Sequence, residues 1–125
     1  MIYDDYAHHP TEIRDTLQAA STIPHNDIWC IFQPHTYTRT KALLSEFAEA
    51  LTTQANIIIT DIYAAREKDT GEVHAKDLAD RIEGSVYIKD FEDIKSYILK
   101  NAKSDDIVIT MGAGTVSKIS DDLLK

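Results

Sequence analysis

This 125-residue sequence predicts an α/β fold: Rossmann-like, doubly wound, with a mainly parallel sheet and helices on both faces. Two observations predict it. Short β-rich runs alternate with helical patterns along the whole chain, the sequence form of repeated βα units. Nothing with linker composition, no internal repeat and no low-complexity tract interrupts the series, and a chain that is 43% hydrophobic can bury a core of its own, so residues 1–125 read as one domain.

The first strand is expected at Ile2-Asp5. Pro10 then opens a helix to about Ala20, because its fixed φ and missing N–H suit a first turn, and Ile13, Leu17 and Ala20 recur at helical spacing to give one buried face. A second strand, Asp27-Phe32, precedes a long helix starting near Thr38, in which Leu43, Leu44, Phe47 and Leu51 form an apolar stripe over more than two turns. The third strand is Asn56-Asp61. Ile62 to Ala75 is polar, contains Gly71 and has neither period, so it reads as a long surface loop, a kind of segment that is often functional. A helix at Lys76-Ile82, a strand at Ser85-Ile88, a helix at Phe91-Asn101, a strand at Asp106-Met111 and a helix at Val116-Leu124 complete the series.

Charge and cysteine usage bound the function. With 21 acidic and 13 basic residues, the net charge of −8 opposes the attraction to phosphate that nucleic-acid or anionic-membrane binding needs. The single cysteine, Cys30, lies in the apolar run IWCIF, has no partner for an internal disulfide and reads as a small buried hydrophobe in a reducing compartment. No stretch approaches ~18 consecutive apolar residues, and the start MIYDDYAHHP lacks the pattern of a signal peptide, so a cytoplasmic location is expected.

In a doubly wound sheet, ligands collect at the carboxyl ends of the strands, and three unusual segments fall there. DDYAHHPTE, Asp4 to Glu12, packs carboxylates, a phenol and two imidazoles into the turn before the first helix. Such groups accept from sugar hydroxyls, stack on a base or donate to an anion. FQPHTYTRT, Phe32 to Thr40, places His35 and Arg39 beside a helix N-terminus, where free N–H groups and a guanidinium would together hold a carboxylate. MGAGT, Met111 to Thr115, is a turn whose glycines allow positive φ and close backbone approach, suited either to cradling an anion or simply to joining strand to helix, and it completes no GxGxxG fingerprint. The chain has no GxxxxGK[ST] phosphate loop, no zinc-type Cys/His spacing and no GxSxG elbow. His25 and His74 read as solvated turn residues; Tyr63, Arg66, Glu67 and Lys68 at the head of the long loop read as a solvated charge run, with facing the same strand-end edge as the alternative.

DDYAHHPTE, FQPHTYTRT, DIYAAREKDTGE and MGAGT, in that order and over nearly the whole chain, resemble the C-terminal domain of the Mur ligase family, most closely its L-alanine-adding branch. The resemblance implies a three-domain cytoplasmic enzyme of peptidoglycan synthesis that joins L-alanine to UDP-N-acetylmuramate. ATP and Mg²⁺ serve through an acyl phosphate and a tetrahedral intermediate, with the phosphate loop and the Mg²⁺ ligands in a central domain outside this chain. Carried over, it puts Asp5, Tyr6 and His8 at ATP. It puts Tyr6, His8, His9, His35, Arg39 and the backbone of Gly112, Ala113 and Gly114 at L-alanine, and assigns this chain no catalytic residue and no metal ligand. Thr36 stands where some members carry a second arginine. The family's domain also usually begins with an upstream hairpin, so the sheet is expected to lack an edge and the chain alone to be inactive. A freestanding, non-catalytic nucleotide or amino-acid binding module, or the same domain of another Mur-type ligase, are the alternatives.

Overall fold

Strands that are apolar at every position need neighbours on both edges and helices on both faces. In the computed structural model, which describes residues 1–53 and 55–124, Ile28–Phe32 (β2) and Ile107–Met111 (β5) are buried at all five positions and pair with each other in parallel. Ile2–Asp5 (β1) flanks β5, while Asn56–Ile59 (β3) and then Val86–Tyr87 (β4) extend the sheet from β2, giving the all-parallel order β1-β5-β2-β3-β4.

Alternate side chains of each strand enter different cores. Cys30 and Phe32 of β2 join a layer with Ile13, Phe47, Leu51 and Leu78, contributed by α1 (Pro10–Ser21), α3 (Leu44–Leu51) and α4 (Ala75–Ala79). Trp29 and Ile31 pack on the opposite face against Ile94, Ile98 and Ile119 from α5 (Phe91–Asn101) and α6 (Ser117–Leu123). The doubly wound, parallel expectation is therefore met. Burial pushes the Cys30 thiol up to about 12, so it is the inert hydrophobe its surroundings suggested.

Boundaries moved, and one helix divided. The predicted long second helix is two: α2 (Tyr37–Ala42) ends at Leu43, whose φ of −115° and ψ of 21° leave the helical region before α3 begins. Leu43 closes α2 by donating to Arg39 O at 3.0 Å, and its carbonyl accepts from Phe47 N at 2.8 Å to open α3. Phe47 and Leu51 are fully buried, whereas Leu43 and Leu44 are half-buried at the bend; no glycine or proline marks it. Asp27 and Asp106 lie just before their strands rather than in them.

Asp106 is a buried carboxylate absent from the sequence expectations. It accepts hydrogen bonds from Asp27 N at 3.0 Å, Trp29 Nε1 at 2.9 Å and Lys103 N at 2.8 Å, tying the starts of β2 and β5 together. Burial by itself would raise its pKa, but the bonds from Lys103, Trp29 and Asp27 outweigh it and hold the carboxyl below its ordinary value.

Candidate functional site

The winding of the sheet reverses at β5. The chain leaves β1 and β2 toward the layer of α1, α3 and α4, and leaves β5 toward α6 on the opposite face. Loops that part in this way leave room between them at the carboxyl ends of the strands. All three segments singled out in the sequence lie at those carboxyl ends, stitched by bonds continuing the sheet: Gly112 N donates to Asp5 O and Gln33 N to Met111 O, each at 3.0 Å.

In the first segment, Asp5 is half-buried; its Oδ1 accepts from Ala7 N at 2.8 Å and its Oδ2 from Thr16 Oγ1 at 3.1 Å, leaving a lone pair on each oxygen for a further donor. Tyr6 is 70% exposed, an aromatic ring offered to solvent at a strand end, with the His8 ring edge-on at 5.6 Å between centroids. His8 Nδ1 lies 3.0 Å from the Tyr6 carbonyl, so Nδ1 carries the proton and Nε2 remains an acceptor in the neutral ring. His9 is the N-cap of α1: its Nδ1 accepts from Thr11 N at 3.3 Å, and Glu12 accepts from His9 N at 3.2 Å to complete a capping box. The His9 ring thus supports the first turn of α1 through Nδ1.

The second segment brings His35 next to His8, with ring centroids 6.0 Å apart. His35 Nδ1 is buried without a hydrogen-bond partner among the described residues. Desolvation first, and then the neighbouring His8 and Arg39, lower the His35 pKa against the opposing pull of Glu67, so the ring is neutral at pH 7. Arg39 is half-buried, and its guanidinium has no hydrogen-bond or ion-pair partner among the described residues. One expectation is overturned. The N–H groups at the start of α2 are not free for a ligand, because Glu67 Oε1 accepts from Tyr37 N at 2.6 Å and from Thr38 N at 3.1 Å, while Thr36 Oγ1 accepts from Arg39 N at 3.3 Å. Thr36, at a φ of 65°, is thereby the helix cap.

Glu67 and Tyr63 correct the reading of the long loop as a solvated charge run; only Arg66 and Lys68 are exposed as expected. Tyr63 N donates to Pro34 O and Tyr63 O accepts from Thr36 N, both at 2.8 Å, and the Tyr63 ring lies 5.5 Å from that of His35. Their position straight after a strand's carboxyl end was the available signal. Gln33 was also missed. Buried at the end of β2, its Oε1 accepts from Thr115 N at 2.9 Å and Val116 N at 3.1 Å, and its Nε2 donates to Thr115 Oγ1 at 3.0 Å, fixing the third segment.

The glycines of that third segment have a steric cause. Gly112 has a φ of 153°, and a Cβ there would stand 3.0 Å from Gln33 O. A Cβ on Gly114 would meet Tyr63 Cγ at 2.6 Å and Gln33 Oε1 at 2.7 Å. Gly114→Ala is accordingly expected to cost about 1–3 kcal/mol as Tyr63 is displaced, measured as a lower urea midpoint with an unchanged slope. No group of three or more His, Cys, Asp or Glu among the described residues could hold a metal ion, and no helix is long and apolar enough to cross a membrane.

A family model described as Mur ligase, glutamate ligase domain, matches residues 1–114. The UDP-N-acetylmuramate–L-alanine ligase of Acetivibrio thermocellus is 53% identical over 128 aligned residues, covering 99% of this chain and 27% of that protein. The ligase of the same name from Caldanaerobacter subterraneus is 54% identical over 128 aligned residues, covering 99% and 28%. Among solved structures, the UDP-N-acetylmuramate-alanine ligase of Thermotoga maritima matches with a TM-score of 0.73 at 27% identity, over 98% of this chain and 26% of that one. The chain spans about a quarter of the length of the curated relatives it matches. With a family model matching residues 1–114 and relatives more than 50% identical along nearly its full length, the chain belongs to the Mur ligase family.

Proposed function

We propose that this chain is the C-terminal domain of a three-domain, ATP-dependent ligase that joins L-alanine to UDP-N-acetylmuramate in peptidoglycan synthesis, in the cytoplasm. The observation that carries the reading is a half-buried guanidinium, Arg39, without a partner among the described residues, in the segment after β2 that also holds His35, whose Nδ1 is buried and unpartnered among those residues. A guanidinium grips a carboxylate bidentately, so Arg39 would hold the amino-acid carboxylate. His8 and His35, with ring centroids 6.0 Å apart, would wall the pocket against larger side chains, and the main chain of Gly112, Ala113 and Gly114 would border the amine. Tyr6 would offer its ring to adenine, and Asp5 its remaining lone pairs to ribose. ATP and Mg²⁺, held mainly by the other domains, would supply the activated acyl group. His9 would act through α1 rather than by contact.

Grafted onto the remainder of the Acetivibrio thermocellus relative in place of its own corresponding quarter, the chain should support L-alanine-dependent phosphate release. The chain alone should release none. It should bind ATP and L-alanine with Kd values of ~1 mM or weaker, about −4 kcal/mol, since each ligand lacks the contacts of the other domains and bears the full ordering cost. Micromolar binding by the chain alone would contradict this reading and favour a freestanding binding module.

A further inference from the structure

Short helices are unstable unless something outside them holds their first turn. α2 has six residues, breaks off at Leu43 and starts from Thr36 in a backbone conformation that a β-branched residue rarely adopts, with φ 65° and ψ 147°. Its support comes from the loop after β3, which grips the segment at two points. Tyr63 bonds the main chain on either side of His35, and the Glu67 carboxylate takes the N–H groups of Tyr37 and Thr38 while its Oε2 accepts from Thr38 Oγ1 at 2.5 Å. We infer that Glu67 is a positioning residue for amino-acid recognition, holding the first turn of α2 so that Arg39 is presented to the substrate carboxylate.

Three features support this. Glu67 is spent on backbone and hydroxyl donors, and it makes no ion pair with Arg39, so the guanidinium keeps its charge for a ligand. An anion at a helix N-terminus is favoured by the aligned peptide dipoles, and this one takes two of the N–H groups that a first turn leaves unmet. The Thr38 hydroxyl, ahead of the backbone bonds, lowers the Glu67 pKa, so the latch stays ionised at neutral pH. The inference rests on the role given to Arg39 above.

Steady-state kinetics of the full-length ligase containing this domain tests it. Glu67→Ala should raise KM for L-alanine about tenfold or more, the scale of losing a hydrogen bond to a charged group. KM for ATP and for UDP-N-acetylmuramate, and kcat at saturating L-alanine, should stay within about twofold. Glu67→Gln, which retains one acceptor without the charge, should recover part of the loss, and Thr38→Val should shift the same constant by less. Equal losses toward all three substrates, as a merely structural role would give, overturn the inference. So does an unchanged alanine KM in a folded Glu67→Ala enzyme in which Arg39→Ala raises it; the functional reading then stands. If Arg39→Ala itself leaves that constant unchanged, the functional reading fails and this inference with it. Should Glu67→Ala not fold, unchanged alanine constants in Glu67→Gln and Thr38→Val overturn the inference.

Discussion

Arg39→Ala in the full-length enzyme is expected to lower kcat/KM for L-alanine roughly 30- to 1000-fold, the 2–4 kcal/mol lost when one partner of a charge-assisted pair is removed. The change should fall mainly in KM, because a group that binds the amino acid equally in the ground and transition states alters affinity rather than turnover. KM for UDP-N-acetylmuramate should not move, since that substrate is expected on other domains. Lysine at this position should restore only part of the loss, as a point charge replaces a planar fork. An arginine that merely sat solvated in its helix would be removed for less than ~0.5 kcal/mol with no preference among substrates. Kinetics against all three substrates therefore decides, and a folded enzyme with an unchanged alanine constant removes Arg39 from the site.

Asp106→Ala should have the largest effect on stability, about 1–3 kcal/mol, because it leaves the buried Trp29 Nε1–H without its acceptor and frees the part-buried N–H groups of Asp27 and Lys103. Trp29 is the only tryptophan, so urea unfolding followed by its fluorescence reports on the site of the change. Asn should rescue poorly, since its amide nitrogen would face donors wherever it replaces an oxygen. The acid limb carries a second signature. The folded-state pKa of Asp106 is lowered, so its contribution is fully present above the unfolded value near 3.9 and is lost as pH falls through the folded value. The alanine variant should therefore lose less stability than the parent between about pH 5 and the folded-state pKa. An unchanged midpoint in the variant would show that these three bonds contribute nothing net.

Much of this architecture is legible before any coordinates. Strands such as IVITM announce themselves because a parallel sheet buries both of their faces, and Pro10, Ile13 and Leu17 mark α1 by local rules alone. The place of the three polar segments is legible for the same reason, as the carboxyl ends of the strands follow once the strands are placed. What escaped reading depends on partners distant in sequence. Glu67 looks like any loop glutamate until α2, 30 positions away, is folded against it. Gln33 is an ordinary polar residue until the turn after β5 supplies donors from 82 positions on. The bend at Leu43 has no local marker, because it is set by where Phe47 and Leu51 must meet the sheet.

The pairing of β1 with β5, Ile2 against Val108 through Asp5 against Met111, bears on when such a pocket can exist. Every strand pair here is parallel and closed only after a crossover, so even consecutive strands meet across a long stretch of chain. Contacts of such separation come late and slowly, because the entropy of closing the loop is lost before the contact returns anything. On a ribosome, Tyr6, His8 and His35 are made long before β5, yet the strand that sets them side by side is the last of the five to emerge. On the proposed reading, ligand-binding competence would arrive as one late event instead of accumulating with chain length, and a nascent chain stopped short of Met111 would carry nearly all the proposed site's side chains without the strand that aligns them.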